Sequence, residues 1–309
     1  MIVTVTPNPS IDRTLRIPPL QRGQVIRATA TTAEPGGKGI NVSRALASEG
    51  VETIAVVPVS EASAGVLAGL LGGTTPLDPV TITGEIRVNV SLVEDDGTVT
   101  KINEPGPPMR GEDVAALLDR AFEWGARARW IVACGSLPPG APDDLYATLA
   151  RQAPDGVRIA VDADGEALKA CIGCPIDLLK PNHRELEGVV GRELQTLGDV
   201  VAAARGLVDQ GAAAVLVSLG PDGAVLVDEV RATHAEAPID DVVNPVGAGD
   251  ALLAGYLAAD LDGPRIATAV AWSVAACRSP GTRMRPVRAA DRDAVVVHSE
   301  IESGRVLRA

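Results

Sequence analysis

Lysine is scarce in this chain of 309 residues: Lys38, Lys101, Lys169 and Lys180 stand against 24 arginines, and the formal net charge is −12. Nucleic-acid backbones are held by clustered Lys and Arg, so this balance argues against a nucleic-acid partner. A small anionic ligand, which needs only a local positive pocket, stays open. Aromatics are as sparse, with Phe122, Trp124, Trp130, Tyr146, Tyr256 and Trp272 scattered through the chain. They offer no stacking platform, and any nucleotide base is expected to rest on aliphatic side chains and backbone. Among Cys134, Cys171, Cys174 and Cys277 there is one Cys-x-x-Cys, with no second ligand pair and no histidine beside it. That argues against structural zinc and for free thiols in a reduced compartment. No apolar run reaches the roughly 18–20 residues that cross a bilayer, and residues 2–6 read as a strand with no basic leader before them. A cytoplasmic protein without a membrane partner is the expectation.

What is present is an alternation. Residues 130–133, 157–161, 177–179 and 214–217 are short aliphatic runs that read as buried strands. Between them 111–125, 143–152 and 197–210 have helical patterns. Strands alternating with helices imply βαβ units and a mostly parallel sheet covered on both faces, within one α/β domain over 1–309. Two segments depart from this. Residues about 13–31 are extended around Pro18-Pro19, and 86–103 read as a hairpin turning at Asp95-Asp96-Gly97. Period-2 geometry puts Arg87 and Asn89 on one face. The two segments are expected to pair into a small sheet outside the main one, or to form a solvated surface hairpin.

Three loops carry chemistry. Gly247-Ala248-Gly249-Asp250 opens directly into an apolar helix, whose unpaired first-turn N–H groups and dipole make an anion site. A carboxylate there repels the anion, so Asp250 serves either as a general base or as a helix cap. Pro35-Gly36-Gly37-Lys38-Gly39-Ile40-Asn41 is a second glycine loop, read as backbone wrapped around a ligand with one cation, or as a surface turn. Asp12 follows the first strand, placed to accept from sugar hydroxyls or simply to shape a turn. Neither glycine loop is a Walker or Rossmann loop, and Gly135-Ser136-Leu137-Pro138-Pro139-Gly140 fails the nucleophile elbow, which excludes the commoner nucleotide folds and a hydrolase.

The Gly36-Gly37-Lys38-Gly39-x-Asn41 loop and the Gly247-Ala248-Gly249-Asp250 start, about 210 residues apart, resemble the paired motifs of the PfkB/ribokinase family of carbohydrate kinases. Gly135-Ser136-Leu137-Pro138, Lys180-Pro181-Asn182-x-x-Glu185 and Ser218-Leu219-Gly220-x-x-Gly223 agree in order, and the match spans residues 1 to about 282. The resemblance implies a ribokinase-like three-layer sandwich with a small β-sheet lid, using ATP and Mg²⁺. It gives Asp250 the role of base and makes the N–H groups of Gly247, Ala248 and Gly249 the cradle for the transferring phosphoryl. Lys180, Asn182 and Glu185 become the segment serving phosphates and, indirectly, Mg²⁺; Ser218, Gly220 and Gly223 become the nucleotide turn.

Thr6-Pro7-Asn8-Pro9-Ser10-Ile11-Asp12, Arg87-Val88-Asn89 and Ile102-Asn103-Glu104-Pro105-Gly106 are similar to the branch of 1-phosphofructokinases and tagatose-6-phosphate kinases. In that light Asp12, Gly36, Gly37, Lys38, Asn41, Arg87, Asn89 and Asn103 are the substrate-binding set. Fructose 1-phosphate phosphorylated at its 6-hydroxyl is the expected reaction, with tagatose 6-phosphate or fructose 6-phosphate as alternatives. A ribose or nucleoside kinase is disfavoured by Arg87-x-Asn89. A non-catalytic sugar-phosphate or nucleotide sensor on the same fold is disfavoured by the intact constellation. The resemblance also implies a homodimer through the lid sheets, whose edges otherwise invite pairing. Asn244-Pro245 replaces the usual Asp/Ser-Thr pair, Ile86 replaces a Thr, and residues about 58–84 look shortened.

Overall fold

The computed structural model describes residues 1–259 and 265–308; the domain expected over 1–309 also takes in 260–264 and 309, which lie outside the described residues. The first half of the chain forms β1 (Ile2–Val5), β2 (Ser10–Ile17), β3 (Ala30–Gly36), α1 (Lys38–Ser48), β4 (Thr53–Val59), α2 (Glu61–Leu71), β5 (Leu77–Thr81), β6 (Arg87–Glu94) and β7 (Val99–Asn103). There follow α3 (Gly111–Gly125), β8 (Trp130–Cys134), α4 (Leu145–Gln152), β9 (Arg158–Asp162), α5 (Gly165–Ala170), β10 (Leu178–Leu179), α6 (His183–Val190), α7 (Leu197–Asp209) and β11 (Ala214–Ser218). The last part holds β12 (Ala224–Asp228), β13 (Ala232–Glu236), α8 (Ala248–Ala258), α9 (Arg265–Cys277), α10 (Ala289–Asp293) and β14 (Val296–His298).

Ten strands form the main sheet in the order β14-β13-β12-β11-β10-β9-β8-β1-β4-β5. From β11 to β5 every pairing is parallel; β12, β13 and β14 add an antiparallel end. The central strands are apolar on both faces because helices cover both. Val3, Ile131 and Val215 point to one side, against Leu117 of α3, Leu145 of α4 and Val200 of α7. Ile2, Val132 and Leu216 point to the other, against Val42 of α1, Leu252 of α8 and Trp272 of α9. Alternate residues of one strand thus feed two separate cores, which is the three-layer arrangement expected.

A second sheet has four strands in the order β3-β2-β6-β7. It starts at Ser10 and reaches Gly36, wider than the 13–31 segment read from sequence, because the strand's first residues are polar and lack an apolar period. Its central pair, β2 with β6, is parallel and sets Ser10 beside Arg87 and Asp12 beside Asn89. The turn from β6 to β7 is where it was expected, with Gly97 at φ +90° and Thr98 N–H donating to Asp96 Oδ1 at 2.8 Å. Ile86, just before β6, is buried with Ile40, Val57 and Leu67, so an apolar residue there closes a small core under the sheet.

α8 is apolar all round and buried from Ala251 to Leu257, so the helix opened by the glycine loop is a core helix. It crosses α9 at Gly255, where an added Cβ would lie 2.8 Å from Trp272 Cγ and 2.9 Å from the Ala269 Cα. Gly255→Ala gains about 1 kcal/mol of helix propensity. Overpacking of the α8–α9 crossing costs roughly 1–3 kcal/mol. The variant is therefore expected to be no more stable than the wild type, and most readily less, by urea denaturation; a clear gain in midpoint would contradict the tight crossing.

Candidate active site

The carboxyl ends of the parallel strands bring the candidate residues together. β9 ends on Asp162, whose carboxylate is 1% exposed and sits between two ammonium groups: Lys38 Nζ at 2.8 Å from Oδ1 and Lys180 Nζ at 3.0 Å from Oδ2. Lys38 also donates to Glu185 Oε1 at 3.2 Å. Burial alone would raise the Asp162 pKa, but Lys180 and Lys38 outweigh it and hold the carboxyl below its usual range. Burial likewise works against the Lys38 ammonium, and Asp162 and Glu185 reverse that, pushing its pKa up.

Asp250 lies in the first turn of α8, half-buried beside this cluster. Burial, and next the charge of Asp162, push its pKa up to about 6, against the opposing pull of Asn41, Lys180 and Lys38. Asn41 Nδ2 donates to Asp250 Oδ2 at 2.9 Å. The helix begins at Gly247, whose φ of +84° favours glycine. Ala248 N–H is spent on the Pro245 carbonyl at 3.2 Å, and Ala251 N–H on that of Gly247. The N–H groups of Gly249 and Asp250 find no acceptor among the described residues. Gly247 N–H likewise has no acceptor among the described residues, so of the Gly247–Gly249 set only Ala248 is spent, and Lys180 Nζ lies 3.8 Å from where a Gly249 Cβ would stand. Ahead of the loop, Asn244 Oδ1 accepts Val246 N–H at 3.0 Å, a side-chain turn that shapes the segment where Pro245 brings neither hydroxyl nor N–H.

Asn182 and Glu185 form a capping box on α6: Asn182 Oδ1 accepts Glu185 N–H at 2.9 Å and Glu185 Oε2 accepts Asn182 N–H at 2.8 Å. One Glu185 oxygen caps a helix while the other holds Lys38. Asn182 pairs with Ser218 at the end of β11, which leads into the turn where Gly220 and Gly223 both have positive φ.

A separate face forms where the small sheet meets β1. Asn89 Nδ2 donates to Asp12 Oδ1 at 2.9 Å and to Ser10 Oγ at 3.1 Å, and Ser10 Oγ–H donates to Asp12 Oδ1 at 2.8 Å. Gly36 lies so close that a Cβ would run into both Asp12 and Ser10. Arg87 donates to the Asn8 carbonyl from Nε at 3.2 Å and Nη2 at 2.9 Å, and burial lowers its pKa. Arg87, Asn8, Pro105, Ser136, Gly140 and Asp143 line an open cleft of about 500 Å³. Asn8 Oδ1, Asn89 Oδ1 and Thr6 Oγ1 are buried without a hydrogen-bond partner. Buried polar atoms are normally paired, so the unpaired Asn8 Oδ1 in the lining of this cleft suits a ligand rich in hydroxyls.

Two sequence candidates sit apart. Lys38 is engaged with Asp162 and Glu185, with no contact to Arg87 or Asn89, and Asn103 lies exposed at the end of β7. Sequence reasoning missed Asp162, Asn8 and Ser10; an acid closing a buried strand was the available signal for Asp162. A grouping of His234, Glu236 and His298 lies at the antiparallel end of the sheet. Arg305 takes both Glu236 oxygens there, at 2.9 and 2.6 Å, so the grouping is an ion-pair cluster.

The model for pfkB family carbohydrate kinases matches residues 6–279. A 1-phosphofructokinase from Bacillus subtilis (strain 168) is 35% identical over 272 residues, 84% of this chain and 85% of that one. The ATP-dependent 6-phosphofructokinase isozyme 2 of Escherichia coli (strain K12) is 35% identical over 257 residues, 82% of this chain and 83% of that one. The crystal structure of phosphofructokinase-2 from Escherichia coli in complex with potassium superposes with a TM-score of 0.85 at 32% identity, covering 94% of this chain and 96% of that one.

Asp162→Asn would leave Lys180, 4% exposed, facing a neutral amide. We expect a loss of about 3 kcal/mol, in the range for breaking a buried ion pair, with partial recovery on adding Lys180→Met. A denaturation midpoint equal to wild type would show that the pair does not hold the site.

Proposed function

The chain belongs to the pfkB family of carbohydrate kinases, and we propose that its reaction is the ATP-dependent phosphorylation of fructose 1-phosphate at the 6-hydroxyl, giving fructose 1,6-bisphosphate. The observation that carries this reading is the Asp250 carboxylate at the start of α8, held by Asn41 beside the open Gly249 and Asp250 N–H groups and Lys180. A base stands there next to an anion site, which is what transfer of a phosphoryl group to a hydroxyl requires. Asp12 accepts from sugar hydroxyls, with the unpaired acceptors of Asn8 and Asn89 beside it, and the Arg87 fork meets the substrate's phosphate. Lys38 stays with Asp162 and Glu185 and lends its charge through them. Asp250 takes the proton of the attacking hydroxyl as the γ-phosphoryl leaves ADP.

Residues 218–223 and the α8 loop receive ATP. Mg²⁺ bound with the nucleotide shields the charge of its phosphates. Both Glu185 oxygens are engaged, so Glu185 would act on such an ion only through water, in keeping with the hydration Mg²⁺ retains. The small sheet acts as a lid over the sugar phosphate. Two copies pairing through these sheets would cover Val99 and Ile102, 51% and 55% exposed on β7. A cytoplasmic setting is consistent with this, and no helix of the described residues is long and apolar enough to cross a membrane. Sedimentation at twice the monomer mass is expected; a monomer at micromolar concentration would remove the dimer.

The second reading, a 6-phosphate sugar as acceptor, has support in the similarity to the Escherichia coli 6-phosphofructokinase isozyme. A kcat/KM panel of fructose 1-phosphate, fructose 6-phosphate, tagatose 6-phosphate and unphosphorylated sugars separates the readings. Fructose 1-phosphate should lead, and preference for an unphosphorylated sugar would overturn the lid argument. Asp250→Asn is expected to lower kcat by roughly 10²–10⁴. Wild-type activity should rise as pH passes through about 6, where the carboxyl loses its proton. Because a raised carboxyl pKa costs folding stability once the pH exceeds the unfolded value, Asp250→Asn should raise Tm more at pH 8 than at pH 5. Near-wild-type turnover in that variant would end the assignment of the base.

A further inference from the structure

Asp250 is held by one neutral donor, the Asn41 amide, and an amide has two ends. With Nδ2 toward Asp250 it stabilises the carboxylate; turned over, it would set Oδ1 against an oxygen of like partial charge. The terminal torsion of an asparagine is broad, so nothing in Asn41 itself fixes the choice. One helical turn on in α1, Arg44 settles it. Its Nη1 donates to Asn41 Oδ1 at 3.4 Å, and a guanidinium, having no acceptor, can tolerate only the oxygen end. The Arg44 side chain is 10% exposed and is itself held from three sides: Nη1 donates to Thr282 Oγ1 at 2.9 Å and to the Pro35 carbonyl at 3.4 Å, and Nη2 is 3.7 Å from Glu34 Oε1. Thr282 Oγ–H in turn donates to Glu34 Oε1 at 3.0 Å. Arg44 is thus the common donor: on one side it donates to Asn41, which donates to Asp250, and on the other it is anchored by Thr282 and Glu34 as acceptors.

We propose that Arg44 is a positioning residue of the phosphoryl-transfer reaction: it fixes the orientation of the Asn41 amide and so keeps Asp250 ionised and aimed at the acceptor hydroxyl. The proposal rests on the reading of Asp250 as the base. Arg44 touches neither reacting atom; it works through Asn41. Glu34 belongs to β3, so the chain also ties the base to the small sheet that covers the sugar side. The other groups facing Asp250 are Lys38 of α1, Asp162 at the end of β9, Lys180 after β10 and the buried thiol of Cys134 at the end of β8. None of these is a hydrogen-bond or ion-pair partner of Arg44 among the described residues. Asn41 lowers the Asp250 pKa in the folded chain, so releasing it raises that pKa.

The test compares Arg44→Met, Arg44→Lys, Asn41→Ala and the Arg44→Met/Asn41→Ala pair with wild type. The Asp250 carboxyl is titrated by its ¹³C resonance, assigned by its loss in Asp250→Asn, alongside the pH profile of kcat with fructose 1-phosphate. Arg44→Met should raise the titration midpoint by at least half a pH unit, move the acid limb of kcat with it, and leave KM for ATP within about twofold. Asn41→Ala should do the same, and the double variant should shift no further, because the two residues act in series. Arg44→Lys retains a cation without the fork, and should recover part of the shift. An unchanged midpoint in folded Arg44→Met, or additive shifts in the double variant, would overturn the proposal. Should Arg44→Met fail to fold, Thr282→Val loosens Arg44 from the outside and is expected to raise the midpoint in the same direction; no change there overturns it equally. The resonance is read without turnover, so a shifted carboxyl in a protein inactive on every sugar would refute the kinase reading while leaving the coupling of Arg44 to Asp250 through Asn41 established.

Discussion

Asp162 is a carboxylate out of water between two ammonium groups, and the arrangement of the site follows from keeping all three charged. A lone buried carboxylate is costly, and one cation rarely offsets that cost. Here Lys38 comes from the start of α1, Lys180 from the end of β10 and Asp162 from the end of β9. Three elements distant in sequence are thus tied at the same edge of the sheet. Glu185 makes the fourth corner by sharing Lys38 and brings the start of α6 with it. The remaining carboxylate, Asp250, has its pKa raised first by burial and then by repulsion from Asp162, softened by Asn41 and the two lysines. That is how one neighbourhood holds one acid fully ionised and another poised near neutrality.

The fold was largely legible from pattern. Runs such as Trp130–Cys134 and Ala214–Ser218 are aliphatic on both faces, and a helix-length segment separates most of them, which leaves few topologies other than a covered parallel sheet. The glycine loops were legible as loops. What their side chains touch was not. Lys38 read as a ligand for a substrate anion because its loop is open and basic, while the partner it actually finds, Asp162, is more than a hundred residues away and looks in sequence like an acid ending a strand. Asn41 read as a substrate contact, and its amide nitrogen donates to Asp250, a partnership the sequence did not show. Pairings of this kind depend on which strand ends are neighbours, and a local pattern holds no record of that. The parallel pairing of β2 with β6 was invisible for the same reason.

Several site residues also perform ordinary structural work. Asn182 and Glu185 complete a helix cap with one set of atoms and meet Ser218 and Lys38 with another. Gly36 gives way to Asp12 and Ser10, and Gly247 takes the left-handed turn that aims the first N–H groups of α8. On the proposed reading, cap and catalyst, or turn and ligand loop, need not be alternatives at these positions, because the local motif fixes the candidate atom in place.

The scarcity of lysine gains a practical meaning from this geometry. Of four side-chain amines, those of Lys38 and Lys180 are paired with Asp162, whereas Lys101 on β7 and Lys169 at the end of α5 are exposed. Acylating reagents need a free, unprotonated amine. Coupling to an activated surface or dye should therefore fall on Lys101 and Lys169 among the lysines, at two defined points, one on the small sheet and one on the main body. With one addressable lysine on the small sheet and one on a helix of the main body, the protein is well suited to reporting, by energy transfer between those labels, how far the small sheet moves.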